Sequence, residues 1–207
     1  VEYTYNPLEY ASELHCMFLE RFFKAPTKLL FVGMNPGPYG MAQTGVPFGD
    51  VRSVFNWMKI NGSVRVPKKQ HPKKPVQGLK CTRNEVSGER FWRMFSQTLN
   101  LTPEEFFENA FVINVCPLLF LDKSGKNIAL STLPAKLRNE VELLCHELML
   151  KTLEILQPHH VVAIGQYAHD QIKKMLKSES HLIPSNPLAN KGWSDIAKKQ
   201  LSEMGVL

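Results

Sequence analysis

Lys28-Leu29-Leu30-Phe31-Val32 runs directly into Gly33-Met34-Asn35-Pro36-Gly37-Pro38-Tyr39-Gly40-Met41-Ala42-Gln43-Thr44-Gly45-Val46-Pro47-Phe48-Gly49. After Lys28 the first segment is wholly apolar, as a strand buried on both faces of a parallel sheet must be. The seventeen residues that follow hold five glycines, three prolines and no charged side chain. Glycine lets backbone N–H groups approach a ligand closely, and proline stiffens the chain. A turn needs about two to five residues, and longer irregular loops are usually functional. In α/β sheets ligands bind beyond the carboxyl ends of the strands. The stretch therefore predicts a buried parallel strand that opens into a pocket wall.

Outward from that loop the chain alternates helix and strand. Leu8, Ala11, Leu14, Met17, Phe18 and Phe22 recur at three- and four-residue steps and predict a helix over 7–24. Residues 51–60 predict a short helix with Val54, Trp57 and Met58 inward, and another amphipathic helix begins at Phe91-Trp92-Arg93-Met94-Phe95. Between them, 61–86 is rich in Pro, Lys and Gly without periodicity and reads as a long inserted loop. Thr102-Pro103-Glu104-Glu105 is a capping box with proline at the first helical position. A second strand, Ala110–Asn114, closes at Val115-Cys116-Pro117. Pro134 opens the longest helix, reaching about Leu156, with Leu137, Val141, Leu144, Cys145, Leu148 and Leu153 as its inward stripe. A third strand follows at 160–165, then helices over 168–176 and 193–204, the last stopped by Gly205. Such alternation predicts an α/β fold with a parallel sheet covered on both faces.

At 207 residues the chain is expected to form one domain, 1–207, that buries roughly 70% of its unfolded surface. No apolar run approaches the ~18 residues of a membrane span, and no signal-like segment opens the sequence, so no membrane association is expected. Cys16, Cys81, Cys116 and Cys145 are scattered without a Cys-x-x-Cys pair, which argues against a metal cluster and for a reducing compartment. The net charge of +6 is local: 51–84 contains no Asp or Glu and nine Lys or Arg, leaving −3 for the remainder. A basic patch adjoining a pocket wall suits a phosphate backbone.

The strands' carboxyl ends carry Asn35, Asn114 and Gly165-Gln166, and a Pro/Asn-rich segment at 181–193 resembles the first loop in composition. One pocket would then contain Asn35, Phe48, Asn114 and His181. Asn35 can position a water but cannot take its proton. Phe48 offers a flat apolar face, and Asn114 can donate and accept at once, as the edge of a uracil-like base requires. His181 can donate to a developing anion. Each of these residues taken singly also suits a structural role: a strand-end cap, a core ring, a loop histidine. Together they suit a flipped pyrimidine.

On these residues the chain resembles the single-strand-selective monofunctional uracil-DNA glycosylases of the uracil-DNA glycosylase superfamily. The resemblance lies in 33–49, Glu85-Val86-Ser87-Gly88, Arg90-Phe91-Trp92, Asn114 with Cys116-Pro117-Leu118-Leu119-Phe120, Pro134-Ala135-Lys136, and Asn186-Pro187 with Ala189-Asn190-Lys191-Gly192-Trp193. It implies a three-layer α/β/α sandwich with a central four-stranded parallel sheet. It also implies hydrolytic release of uracil and 5-modified uracils, such as 5-hydroxymethyluracil, from single- and double-stranded DNA. The implied enzyme is a nuclear monomer without cofactor or metal, acting in base excision repair. The resemblance assigns the water to Asn35, stacking to Phe48, the base edge to Asn114 and the leaving group to His181. Met34, Gly37 and Met41 would floor the pocket, and Pro184, Ser185, Asn186 and Lys191 would contact DNA. The chain departs from the family at His181-Leu182-Ile183-Pro184-Ser185, where the family reads His-Pro-Ser-Pro-Arg, and is about nine residues short before it. A helix over 168–176 spans about 14 Å, and five extended residues recover at most ~17 Å. Either that helix is shorter or the fourth strand is reduced. The rival readings are a mismatch-specific uracil/thymine glycosylase, a DNA-binding relative with impaired catalysis, and, more distantly, a nucleotide-binding metabolic enzyme.

Overall fold

The computed structural model describes residues 1–176, 182–185 and 193–203. In chain order, β1 (Tyr3–Tyr5) leads into α1 (Pro7–Tyr10) and α2 (Ser12–Phe22), then β2 (Leu29–Gly33) and α3 (Met41–Thr44). A π-helical turn spans Ser53–Trp57, and α4 (Val86–Arg93) continues into a second one at Met94–Thr98. There follow α5 (Pro103–Asn109), β3 (Ala110–Asn114), β4 (Leu119–Leu121), α6 (Ala135–Leu156), β5 (His160–Ile164), α7 (Gln166–Met175), β6 (Leu182–Ser185) and α8 (Trp193–Glu203).

Four strands form one parallel sheet in the order β3-β2-β5-β6, with helices on both sides. Every residue of β2 is buried, as its unbroken Leu-Leu-Phe-Val-Gly sequence requires of a central strand. The α5 capping box forms as read: Thr102 accepts from Glu105 N–H, and the Glu105 carboxylate accepts from Thr102 N–H at 2.7 Å. Aromatic rings fill the layer beside β2 and β3. Phe107 stacks on Phe22 at 4.2 Å, and Phe31 meets Phe91 edge-on at 5.3 Å.

Several elements differ from the sequence reading for local reasons. The helix expected over 7–24 breaks at Ala11, where Gly45 of the pocket loop packs against the Ala11 carbonyl. On α6 the buried stripe is Val141, Cys145, Met149 and Leu156, while Leu144 and Leu148 are exposed. Leu143, Leu150 and Ile155 are exposed as well. Apolar residues thus ring this helix, and its pattern leaves the buried phase open. The small antiparallel pair of β1 and β4 has no sequence signature, being only three residues long on each side.

The fourth strand resolves the spacing question. The α7 helix is not shorter than expected; β6 is instead cut to four residues, Leu182–Ser185, taken from the segment read as loop. Its register pairs Leu182 with Val161 and Ser185 with Ile164.

Phe107→Ala should cost about 3–5 kcal/mol, since its ring is 2% exposed and closes the stack on Phe22. Urea denaturation should show a lower midpoint at unchanged slope; an unchanged midpoint would mean that the layer relaxes around the void.

Candidate functional site

The parallel register brings the two sequence-distant halves of the site together. Gly33 stands opposite Asn114 at the ends of β2 and β3, and pairing continues beyond them. Val115 N–H donates to Gly33 O at 2.8 Å and Cys116 N–H to Met34 O at 3.0 Å. A cavity of about 240 Å³ opens there. Its lining includes Met34, Asn35, Gly37, Met41, Phe48 and Asn114, so six of the expected site residues share one pocket, with Glu85, Ser87 and Ile164 beside them.

Three close approaches give the cavity its shape. A Cβ on Gly33 would come within 2.5 Å of both the Asn114 Oδ1 and the Phe48 ring, so the strand must end in glycine. Phe48 holds a left-handed backbone (φ 54°), a strained conformation for a residue with a side chain. Two contacts hold it there: its carbonyl accepts from Trp92 Nε1–H at 3.0 Å, and its ring stacks on Phe91 at 4.8 Å and 15°. Gly88 of α4 lies directly against the Phe48 carbonyl, where a Cβ would clash with backbone. Phe48 is therefore both a core ring and a cavity wall.

The two amides are oriented by their neighbours. Asn35 Nδ2 faces the carbonyls of Pro36 and Leu118, each at 3.4 Å. Reversing the amide would set oxygen against two oxygens, so Oδ1 points the other way. That Oδ1 is buried and has no hydrogen-bond partner. A buried acceptor left unsatisfied costs about 1–3 kcal/mol and is a place for water or ligand. Asn114 Nδ2 donates to Met41 Sδ at 3.2 Å, a weak acceptor that a better one can replace.

The sequence reading missed Glu85 as part of the site. Its carboxylate lies beneath the pocket loop, filling the space where Gly37 and Gly40 lack a side chain, and accepts Tyr39 N–H at 3.1 Å. Burial raises its pKa; the bonds from Tyr39 and Ser87 and the field of Lys74 oppose that shift. The signal was present, because Glu85 is the first acidic residue after the acid-free run. Nothing local, however, indicates that it folds back under residue 37.

His181, Asn186 and Lys191 lie outside the described residues. Pro184 and Ser185 belong to β6 rather than to an irregular segment. Ser185 stands at its carboxyl end beside cavity-lining Ile164, its carbonyl accepting Gly165 N–H at 2.9 Å. Leu182, by contrast, pairs with Val161 near the amino end of the sheet, away from Asn35 and Asn114. Of the basic stretch, Lys69 pairs with Glu2 at 3.0 Å, Arg65 donates to the Glu9 carbonyl, and Lys74 and Arg83 reach Tyr39.

Comparison with known proteins shows the family of the chain. Residues 20–201 match the uracil DNA glycosylase superfamily. The single-strand selective monofunctional uracil DNA glycosylase of Bos taurus is 45% identical over 213 residues, covering 99% of this chain and 78% of that protein. Its Rattus norvegicus counterpart is 44% identical, covering 98% and 76%. The crystal structure of Pedobacter heparinus SMUG2 superposes with a TM-score of 0.69 at 16% identity, over 98% of this chain and 88% of that one, a likeness of fold.

The raised pKa of Glu85 has a consequence for stability. The folded protein holds this proton more tightly than the unfolded chain does. The stabilisation is therefore full below the usual value of 4.5 and is lost as pH rises through the folded value. Glu85→Gln, which carries no charge to bury, should melt above wild type at about pH 8, with the gain shrinking toward about pH 4. A gain that does not vary with pH would show that the carboxylate is not desolvated.

Proposed function

We propose a function from one premise: the chain belongs to the uracil DNA glycosylase superfamily. On this reading it hydrolyses the N-glycosidic bond of uracil, and of 5-modified uracils such as 5-hydroxymethyluracil, in single- and double-stranded DNA. It acts as a monomer in the nucleus and opens base excision repair. The relatives' names state uracil glycosylase activity for those proteins, and one observation carries it to this chain: the buried, unpartnered Oδ1 of Asn35, a residue lining a cavity walled by an aromatic ring and a second amide.

The chemistry follows from those groups. The extruded base stacks on Phe48 above Met34, Gly37 and Met41. Asn114 accepts the base's N3–H through Oδ1 and donates to O4 through Nδ2, exchanging the Met41 sulfur for a carbonyl. Asn35 Oδ1 accepts one hydrogen bond from water and aims its lone pair at the sugar, but as an amide takes no proton. The bond to N1 therefore breaks first, its electron pair leaving with the uracil anion. Water then adds to the oxocarbenium-like sugar and releases its proton. Among the described cavity-lining residues there is no lysine to act as an amine nucleophile, so strand cleavage is not expected. The leaving-group role of His181 and the DNA contacts of Pro184, Ser185, Asn186 and Lys191 rest on the sequence resemblance.

One observation favours a second reading, a DNA-binding relative with impaired catalysis. Residues 182–185, within the segment that departs from the family, form strand β6 of the sheet.

Free uracil released from single-stranded and duplex oligonucleotides tests both readings. Wild type should release base, and Asn35→Ala should lower release by ~10²–10³ without lowering the melting temperature. Turnover of Asn35→Ala within about threefold of wild type would remove Asn35 from the reaction, and the same result for His181→Ala would remove His181. Wild-type binding of uracil DNA without release would establish the second reading. Asn114→Asp should abolish most uracil release and permit weak release of cytosine, whose 4-amino group donates to a carboxylate. An unchanged preference would mean that Asn114 reads no base edge.

A further inference from the structure

Two cations converge on one ring in the loop that walls the cavity. The Arg83 guanidinium lies 4.1 Å from the Tyr39 ring centroid. The Lys74 ammonium lies 4.4 Å from it and donates to the Tyr39 hydroxyl at 2.6 Å. Among the described residues neither cation has a carboxylate within ion-pair distance. A π face and a phenol oxygen orient a cation without neutralising it. Two positive charges are therefore held in place and remain available to an anion.

Lys74 is also tied to the wall of the cavity. Lys74 N–H donates to His71 O at 2.9 Å, and Lys74 O accepts from the hydroxyl of fully buried Tyr5 at 2.7 Å. Fully buried Gln43 ties this basic turn to the pocket loop. Its Nε2 donates to Pro38 O at 2.8 Å and Pro75 O at 3.1 Å, and its Oε1 accepts the N–H groups of Gln77 and Gly78. Tyr39 lies four residues from Asn35 on that same loop. Three of the other basic residues are placed differently: Arg65, Lys68 and Lys69 line a separate cleft with Thr4, Asn6 and Glu9. The acid-free stretch is thus not one continuous patch.

We infer that Lys74 and Arg83, steered by Tyr39, grip the DNA phosphodiester beside the extruded nucleotide. The inference rests on the glycosylase reading and adds residues that neither the motifs nor the family resemblance assign to DNA. The chemistry is complementary: a guanidinium fork meets two phosphate oxygens at once, and an ammonium supplies a point charge. Extruding a base also requires that its backbone be held while stacking is lost. A grip on the Asn35 loop fixes the sugar's position against the water.

Binding of fluorescein-labelled uracil-containing oligonucleotides, measured by anisotropy across about 50–200 mM salt, tests it. The double variant K74M/R83M keeps both stems and removes both charges. It should flatten the slope of log affinity against log salt by about 1.8 on duplex and about 1.4 on single strands. R83M alone, at an exposed position, should flatten the duplex slope by about 0.9, which guards against misfolding of the double variant. K68Q/K69Q should flatten it by less than half as much as the double variant does. An unchanged slope in R83M and K74M/R83M would overturn the inference, as would equal flattening by K68Q/K69Q. Stabilisation of wild type but not K74M/R83M by inorganic phosphate, with no change of slope, would reassign the cluster to a free anion. Flattening in a protein whose wild type releases no uracil would uphold the grip and remove the glycosylase reading instead.

Discussion

The pairing of Gly33 with Asn114 is the constraint on which the site depends. Parallel strands place their carboxyl ends on one side, and this register sets the two residues at the same height. Asn114 Oδ1 and the Phe48 ring then close over a Cα that carries no Cβ. Any larger residue at 33 would push apart the Asn114 amide and the Phe48 ring. A slip of one residue along β3 would turn Asn114 to the other face of the sheet, because side chains alternate. The flanking bonds from Val115 and Cys116 to Gly33 and Met34 extend the pairing into the loops and resist such a slip.

Around that register the protein uses satisfied polar groups as fasteners. Gln43 makes four hydrogen bonds from a fully buried amide, which is its whole capacity, and so joins two irregular segments that share no secondary structure. Glu85 plays the corresponding part beneath Gly37 and Gly40, with a desolvated carboxyl in place of a neutral amide. Asn35 differs from both, since its buried Oδ1 has no hydrogen-bond partner among the described residues.

Replacing a loop with a strand at 182–185 connects fold and function most directly. The sheet needs a fourth strand to cover β5, and Leu182-Ile183-Pro184-Ser185 supplies it, with Pro184 at the edge of the sheet where a missing N–H is tolerated. Residues with a motif-like sequence thereby form part of the sheet. The glycosylase reading and its impaired alternative differ on what that substitution leaves for catalysis.

The parallel sheet, the limits of β3, the α5 cap and the pocket loop are legible in the amino-acid order alone. Each rests on local chemistry: an unbroken apolar run, a capping box, or glycine and proline at fixed spacing. The same order also named Asn35, Phe48 and Asn114, because those side chains follow strand ends or the loop that a strand end opens. Which face of α6 is buried is settled by packing, since apolar residues surround that helix and contact with the rest of the fold selects Val141, Cys145 and Met149. The tertiary structure decided likewise that Glu85 lies beneath Gly37, that Lys74 and Arg83 share Tyr39, and that 182–185 is a strand. These are contacts between segments far apart in the chain or competing for one place in a sheet. No spacing along the sequence encodes them, because their energies come from close packing and desolvation that exist only once the segments meet.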